Sequence, residues 1–291
     1  METERMNIQW YPGHMTKTRR QMEADLKQVD AICEIVDARI PMASRNPDID
    51  AICGNKPRIV ILNRMDLADP EATQHWVSYF KSKGIAAVPT DCKSRKGINQ
   101  FQPAVRSVLK EKIERNAARG MNRPLRVMIV GIPNVGKSTL INQISGRKGA
   151  KAENRPGVTR GKQWVTVDSS LLLLDTPGIL WPKFDDPEVG MMLAYTGAVK
   201  DGILDIEELA CHLIQVLNRR YPQALLDRYG IQADPETTGY ELLEMAGRKR
   251  GFLISGGEIN TERMAKVLVD EYRAGKLGRF TFEVPAEDEN V

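Results

Sequence analysis

The residues with the clearest chemical potential lie in the middle of the chain, in a glycine-rich turn. Gly131, Gly136, Lys137 and Ser138 fit the spacing Gly-x-x-x-x-Gly-Lys-Ser/Thr. In such a turn the backbone N–H groups cradle phosphates, the lysine reaches the outer phosphates and the hydroxyl binds Mg²⁺. The sequence therefore predicts a phosphate-binding loop whose nucleotide contacts are Asn134, Val135, Gly136, Lys137, Ser138 and Thr139.

The residues on either side of this turn supply the elements that a phosphate-binding loop requires. Residues 127–130 form an apolar run typical of a buried strand, and residues 140–144 open a helical pattern. The N-terminus of the helix adds a favourable dipole for an anion, and the glycines allow a close approach of the backbone. An ordinary glycine-rich turn is the alternative, but it would need neither flanking element.

A second group of candidate ligands follows the phosphate-binding loop. Asp175-Thr-Pro-Gly178 ends an apolar run, where the carboxylate can hold Mg²⁺ through water and the Gly178 N–H can contact a γ-phosphate. Between the two motifs lies Arg155-Pro-Gly-Val-Thr-Arg160, in which Thr159 is the candidate Mg²⁺ ligand and switch residue. Mg²⁺ is therefore expected on Ser138, on Thr159 and, through water, on Asp175.

Selection between ATP and GTP needs a residue that distinguishes the bases, and Asn63-Arg-Met-Asp66 is the candidate. This segment resembles the Asn-Lys-x-Asp motif of GTPases, in which the carboxylate accepts two hydrogen bonds from guanine. Arg64 stands in place of the lysine, and its stem and planar head can cover a ring. An ordinary Asx turn at the end of a strand is the alternative. Guanine contacts are thus predicted for Asn63, Arg64 and Asp66.

Asp91-Cys-Lys93 follows the next short apolar run, at the place where GTPases carry Ser-Ala-Lys. Lys93 alone matches that motif, and Asp91, Cys92 and Lys93 are all predicted to line the base-binding site. A P-loop ATPase or kinase is disfavoured by Asp66, because adenine cannot offer the two donors that a carboxylate accepts from guanine.

Composition places these motifs in a globular protein of about two domains. The chain has 291 residues, of which 42% are hydrophobic, with a net charge of +4 and a pI near 8.8. A charge this mild does not by itself identify a nucleic-acid binder. Neither a run of eighteen apolar residues nor a signal-peptide pattern occurs, so a cytoplasmic protein without a membrane partner is expected. The four widely spaced cysteines favour neither a zinc site nor disulfides.

The order of elements predicts an α/β fold with a mostly parallel sheet flanked by helices. Short apolar strands alternate with helical patterns, one of which is expected over residues 98–117. Beyond Pro187 helical patterns dominate until the β-rich Gly278-Arg-Phe-Thr-Phe-Glu283. We therefore expect a nucleotide-binding domain over residues 1–187 and a small all-α C-terminal domain over residues 188–291.

The motifs stand in an unusual order, because the base-recognition motifs precede the phosphate-binding loop. This permuted set is accompanied by Trp10-Tyr-Pro-Gly-His-Met15, Asp37-Ala-Arg39-Ile-Pro41, Pro156-Gly-Val-Thr159 and Gly275-Lys-Leu-Gly278. On these motifs the chain resembles, over nearly its whole length, the ribosome biogenesis GTPase A family of the YlqF/YawG type. The resemblance implies a circularly permuted P-loop GTPase domain.

The resemblance also implies an activity and a partner. Members of the family hydrolyse GTP and act late in assembly of the large ribosomal subunit, with the helical C-terminal domain contacting ribosomal RNA. GTP or GDP and Mg²⁺ are then the expected ligands, and the chain is expected to be a monomer. Arg248-Lys-Arg250 and Lys276 are the candidate contacts with RNA phosphates.

The resemblance assigns catalytic roles as well. Ile179 follows Gly178, where Ras-like proteins have a glutamine that orients the attacking water, and an isoleucine cannot do so. The family gives that role to a histidine matched here by His14, which together with Lys137 and Thr159 forms the expected catalytic set. Asn134 resembles the asparagine by which related GTPases bind K⁺; the alternative is a loop asparagine that bonds its own backbone.

Two functions therefore remain open from the sequence. The first is a GTPase whose slow hydrolysis is stimulated by the ribosome. The second is a nucleotide-gated RNA-binding placeholder protein with negligible catalysis of its own. Ile179 is compatible with both, because a poor water-positioning residue makes hydrolysis depend on a partner.

Overall fold

The structure, a computed structural model, describes residues 22–146, 163–178, 186–199 and 205–285. It divides into two compact units. Of the described residues, the sheet unit comprises 22–146, 163–178 and 280–285, and the helical unit comprises 186–199 and 205–279. The division lies close to the boundary expected after residue 187, but the chain returns to the sheet unit at residue 280.

The sheet unit contains the strands β1 (Ala31–Asp37), β2 (Arg58–Asn63), β3 (Ala86–Pro89), β4 (Leu125–Gly131), β5 (Gln163–Asp168) and β6 (Leu171–Asp175). They form a six-stranded sheet in the order β3-β2-β1-β4-β6-β5. All neighbouring pairs are parallel except β5 with β6. Every residue of β1 is buried, which is typical of a central parallel strand covered on both faces. The predicted mostly parallel sheet is confirmed.

The helices of the sheet unit are α1 (Ile49–Cys53), α2 (Pro70–Ser82), α3 (Phe101–Val108), α4 (Lys110–Ala118) and α5 (Lys137–Ser145). α2 begins as its sequence indicates, because the Asp69 side chain accepts a hydrogen bond from the Ala72 N–H and Pro70 is the first helical residue. The single helix expected over residues 98–117 is instead broken at Leu109. The Leu109 backbone leaves the helical region (φ −106°, ψ 14°) while its side chain is buried.

The helical unit contains α6 (Pro187–Tyr195), α7 (Ile206–Arg220), α8 (Pro222–Tyr229), α9 (Gly239–Lys249) and α10 (Thr261–Arg273). Of these five helices, all but α8 have a side-chain cap at the N-terminus. Asp205 accepts hydrogen bonds from the first-turn N–H groups of α7, and Thr238 and Glu241 form a capping box on α9. The core is aliphatic, with Leu213, Leu242 and Leu268 fully buried. This region is helical as the sequence predicts.

A buried carboxylate links three elements of the helical unit. Glu271 of α10 accepts hydrogen bonds from Arg228 Nε (2.9 Å), Tyr229 Oη (2.8 Å) and Arg250 (3.0 Å). The hydrogen bonds from Arg228 are the main reason that the pKa of Glu271 falls to about 2. Arg250, which was expected to contact RNA, therefore also binds a carboxylate of its own unit.

The segment predicted as a β-rich run near the C-terminus forms no strand. Residues 280–283, here called the return segment, run in extended form across the loops that follow β1 and β2. The Phe280 N–H donates to Leu67 C=O (3.0 Å) and the Phe282 N–H donates to Arg39 C=O (2.8 Å). The all-α domain expected to extend to residue 291 thus ends before Phe280, because Phe280 and Phe282 bury their rings in the sheet unit.

In the ranges described above, no helix combines the length and apolar character needed to cross a bilayer.

The last residue of the return segment carries a carboxyl group with a shifted pKa. Glu283 accepts hydrogen bonds from the backbone N–H groups of Met42 (2.7 Å) and Ala43 (2.8 Å). Burial raises the pKa of Glu283 from 4.5 to about 7; the two N–H donors oppose this rise and the nearby Asp37 adds to it.

Stability should therefore depend on pH through Glu283. Because its folded pKa lies above its unfolded value, the folded state binds the proton more tightly, and this stabilising contribution is lost as pH rises from about 4.5 to about 7. We expect the Tm of the wild type to fall relative to that of Glu283→Gln, which cannot ionise, between about pH 5 and about pH 8. Thermal melts of both proteins across that range measure the difference. Glu258→Gln, an exposed carboxyl in a loop, is the control, and parallel Tm profiles for wild type and Glu283→Gln would contradict the assignment.

Candidate functional site

The predicted motifs meet at one edge of the sheet. The loops after β1, β2, β3, β4 and β6 all leave the carboxyl ends of parallel strands. From β1 the chain builds outward through β2 to β3, and then returns to place β4 on the other side of β1. The crevice at such a reversal of strand order is where open α/β sheets bind ligands. The phosphate-binding and base-recognition motifs therefore share one site although they are far apart in sequence.

The phosphate-binding loop has the backbone that its sequence predicts. Residues 131–136 connect β4 to the N-terminus of α5, with Asn134 at φ 60° and Gly136 at φ 103°. A Cβ atom on Gly131 would lie 2.6 Å from Ile35 Cγ2, so only glycine fits there. The loop thus directs backbone N–H groups and the positive end of the α5 dipole into the crevice, which suits a phosphate.

The lysine and the acidic residue predicted for phosphate and Mg²⁺ binding lie in contact. Lys137 Nζ donates to Asp175 Oδ1 at 2.5 Å, and both side chains are buried. Thr176 Oγ1 donates to Ile129 C=O (2.7 Å), which fixes the start of the Asp175-Thr-Pro-Gly178 turn against β4. A Cβ atom on Gly178 would lie 3.0 Å from Pro133 N, so this turn also packs closely on the phosphate-binding loop.

Asn63 connects the base-recognition loops to the phosphate-binding loop. Its Nδ2 donates to Val135 C=O (2.7 Å), and its Oδ1 accepts from the Cys92 N–H (3.1 Å) and from Thr90 Oγ1 (3.4 Å). A Cβ atom on Gly136 would lie 2.3 Å from Asn63 Nδ2, so the approach requires a glycine. These bonds give Asn63 a role in organising the loops, and its contact with the nucleotide stays a prediction.

Arg64 is held by both sides of the crevice. Its backbone lies at φ 60°, one NH2 group donates to Asn134 C=O (2.6 Å), and the other lies 3.5 Å from Asp37 Oδ2. The guanidinium is thereby fixed by the phosphate-binding loop and by the end of β1. That the stem of Arg64 covers a base stays a prediction.

Asp66 and Asp91 are placed differently, although both were predicted to face the base. Asp66 is an exposed residue, yet neighbouring protein atoms partly desolvate its carboxylate. This desolvation first, and then the nearby Asp91 carboxylate, raise the pKa of Asp66. Asp91 Oδ1 accepts hydrogen bonds from the N–H groups of Lys93 (2.8 Å) and Ser94 (3.2 Å), so it shapes its own turn. Burial alone would raise the pKa of Asp91, but these hydrogen bonds hold it below the usual value. Lys93 is exposed and Cys92 is buried.

Asp37 and Arg39, which belong to one of the motifs of the resemblance, form an ion pair that the sequence did not predict. Arg39 is fully buried and donates from Nε to Asp37 Oδ1 (2.9 Å) and from NH2 to Asp37 Oδ2 (2.8 Å). Burial alone would raise the pKa of Asp37, yet Arg39 and then Arg64 hold it below its usual value. The ion pair could have been predicted from an acidic residue that stands two positions before an arginine at the end of a buried strand.

Two predicted site residues, His14 and Thr159, lie outside the described residues, as does Ile179. Ser138 and Thr139 lie half-buried at the first turn of α5. The part of the chain that the structure describes contains no cluster of three or more His, Cys, Asp or Glu side chains placed to hold a metal. Mg²⁺ bound with one carboxylate, hydroxyls and phosphate oxygens needs no such cluster.

The chain is similar over nearly its full length to GTPases connected with ribosomes. Ribosome biogenesis GTPase A of Priestia megaterium is 49% identical, covering 98% of this chain and 99% of that protein. Mitochondrial ribosome-associated GTPase 1 of Mus musculus is 33% identical, covering 93% and 88%. GNP-bound YlqF from T. maritima has a similar structure, with a TM-score of 0.63 and 29% identity over 94% of this chain and 100% of that one.

A family model described as 50S ribosome-binding GTPase matches residues 126–246, from the start of β4 into the helical unit. Asn63 and Asp66 lie before this match, which agrees with a chain whose base-recognition motifs precede the phosphate-binding loop. Identity above 45% over nearly the whole of several relatives is decisive for membership. The chain belongs to the ribosome biogenesis GTPase A family.

Proposed function

We propose that the protein binds and hydrolyses GTP as an assembly factor of the large ribosomal subunit, and that the ribosome stimulates the hydrolysis. One observation carries the proposal: Asn63 ties the predicted guanine-recognition loops to the phosphate-binding loop at one edge of the sheet. In a member of this family, that arrangement supports a guanine nucleotide lying across the crevice.

The phosphate half of the site supports phosphoryl transfer. The N-terminus of α5 and the loop N–H groups hold the phosphates, and Lys137 exchanges its bond with Asp175 for the outer phosphates. Oxygen donors are the ligands that Mg²⁺ prefers, and Ser138, Thr159 and, through water, Asp175 would hold the ion. When bound, Mg²⁺ neutralises charge that develops on the phosphate oxygens. Gly178, packed on Pro133, brings its backbone N–H to the γ-phosphate end of the crevice.

The base half of the site supports selection of guanine. The exposed carboxylate of Asp66 accepts both hydrogen bonds from guanine, and the stem of Arg64 covers the ring. The negative charge of Asp91 repels that of Asp66 and raises the pKa of Asp66. Hydrogen-bond donors from guanine would offset this repulsion. Cys92 and Lys93 line the rest of the base-binding site.

Water activation and the helical unit complete the proposal. We assign the orientation of the attacking water to His14, since Ile179 cannot accept a hydrogen bond. The helical unit contacts ribosomal RNA through the exposed Arg248, Lys249 and Lys276, while Arg250 stays bound to Glu271. The factor acts in the cytoplasm as a monomer on a precursor of the large subunit.

Guanine selectivity tests the base assignment. Asp66→Asn should lower the preference for GDP over IDP by roughly ten- to a hundredfold. The reason is that IDP lacks the amino group from which the second carboxylate oxygen accepts a hydrogen bond. Isothermal titration with both nucleotides measures the preference, and Asp270→Asn, an exposed carboxylate of α10, is the matched control. An unchanged preference in Asp66→Asn would remove Asp66 from the base-binding site.

Ribosome-stimulated hydrolysis tests the role of His14. We expect large subunits to accelerate GTP hydrolysis by the wild type, and His14→Ala to lower the stimulated rate about a hundredfold or more. The control His75→Ala changes an exposed histidine of α2 and should keep the wild-type rate. Stimulation that survives in His14→Ala would refute its role, and absence of stimulation in the wild type would favour the placeholder function.

Potassium dependence tests the proposed role of Asn134. A K⁺ ion held beside the phosphates would stabilise transition-state charge, so the stimulated rate should be at least about tenfold higher in KCl than in NaCl at equal ionic strength. Asn134→Gly tolerates the positive φ of this position and should abolish the difference. Equal rates of the wild type in the two salts would remove K⁺ from the mechanism.

A further inference from the structure

The return segment, residues 280–283, binds the loop after β2, which carries Asp66, and the loop after β1, which carries Arg39. Its first N–H donates to Leu67 C=O, one residue after Asp66. Its third N–H donates to Arg39 C=O, next to the Asp37–Arg39 ion pair. These partners lie more than 200 positions away in sequence, so the contact is a long-range one.

A single hydroxyl joins the two loops directly. Thr281 Oγ1 accepts from the Asp69 N–H (3.1 Å) and donates to Ala38 C=O (3.3 Å), and the residue is 2% exposed. Asp69 follows the β2 loop and Ala38 follows β1, so this oxygen spans the gap between them. Because Thr281 is buried, a change that removes its hydroxyl leaves backbone groups at this position without that partner.

The rest of the segment is anchored at its far end. Glu283 C=O accepts from Trp76 Nε1 (3.1 Å), and the Glu283 carboxyl oxygens accept from the Met42 and Ala43 N–H groups. Phe280 and Phe282 stack with ring centroids 6.4 Å apart, and both are buried. The segment therefore lies in a fixed register against the loops.

The loop that carries Asp66 has few other fixed points. The Met65 N–H donates to Thr90 C=O (3.1 Å) on the β3 side, and the Leu67 N–H donates back to Arg64 C=O (2.9 Å) within the loop. The strained backbone of Arg64 (φ 60°) would relax if the loop were released. On the other side of Asp66, Phe280 donates a hydrogen bond to Leu67 and Thr281 accepts one from Asp69, while Ala68 packs in the core.

We propose that the return segment, through Thr281 and Phe280, is a positioning element for guanine recognition. It holds the Asp66 loop and the Arg39 loop in the register that lets the Asp66 carboxylate accept two hydrogen bonds from the base. This inference rests on the proposed role of Asp66. A carboxylate that forms two parallel hydrogen bonds depends on its orientation more than one that forms a single bond, so a loosened loop loses selectivity as well as affinity.

Titration of GDP and IDP to the full chain tests the inference. Thr281→Val keeps the shape and removes the hydroxyl, and it should lower the GDP-to-IDP preference about three- to tenfold, as expected when one hydrogen bond is partly lost. Thr281→Ser restores the hydroxyl and should restore the preference. Thr196→Val, which removes a buried hydroxyl that bonds carbonyls of its own helix in the helical unit, should leave the preference unchanged.

A purely structural role would lower Tm and affinity for both nucleotides alike, leaving their ratio unchanged, and that result in Thr281→Val would overturn the inference. If Thr281→Val fails to fold, Glu283→Ala releases the same segment at its half-buried end and should lower the ratio in the same direction. Asp66→Asn separates the two proposals. A lowered ratio in Asp66→Asn with a wild-type ratio in the Thr281 and Glu283 variants refutes only the positioning role, whereas an unchanged ratio in Asp66→Asn refutes the guanine assignment itself.

Discussion

The site depends on the hydrogen bonds made by one amide, that of Asn63. A primary amide offers donors on one side and an acceptor on the other, and here the donor meets Val135 C=O while the acceptor meets the Cys92 N–H and the Thr90 hydroxyl. An aspartate could not donate to Val135, and a leucine would leave all three partners buried and unpaired. Gly136 is the matching constraint, because any side chain there would collide with the amide. Loops from three strands are in this way held together by a group that need not touch the nucleotide.

The ion pairs near this amide fix the positions of side chains more than they stabilise the fold. The fully buried Asp37–Arg39 pair loses hydration on both partners, so it contributes little net stability by itself. It does, however, fix an acidic group beside Arg64, whose other contact is the phosphate-binding loop at Asn134. Lys137 and Asp175 form a similar buried pair at the phosphate end. On the proposed function, Lys137 faces the phosphates and Arg64 faces the base, so nucleotide binding would replace interactions already present within the protein instead of interactions with water.

Local patterns were enough to predict the mostly parallel sheet and its flanking helices. The apolar run before Gly131 is a signal contained within a few residues, and it forms β4. The roles of Asn63 and Arg39 could not be predicted in this way, since their partners are set by which strands become neighbours. The same limit applies to residues 278–283, whose pattern indicates extended backbone but not which loops it will bind. Arg250 shows the same limit, because a basic cluster in sequence does not reveal that one of its members forms an ion pair with Glu271.

Among the described residues, chain order joins the helical unit to the sheet unit at two places. The chain enters the helical unit soon after Asp175-Thr-Pro-Gly178, at the proposed phosphate end, and leaves it directly into residues 280–283, at the proposed base end. A ligand of the helical unit changes nucleotide affinity only if ligand and nucleotide both distinguish the same arrangements of a connection, and by thermodynamic linkage the nucleotide then changes the affinity for that ligand by the same factor. On the proposed function, the γ-phosphate lies at the end of the first connection, whereas the second adjoins the base, which GDP and GTP share. If RNA is that ligand, coupling through the first connection would distinguish GTP from GDP, and coupling through the second would not.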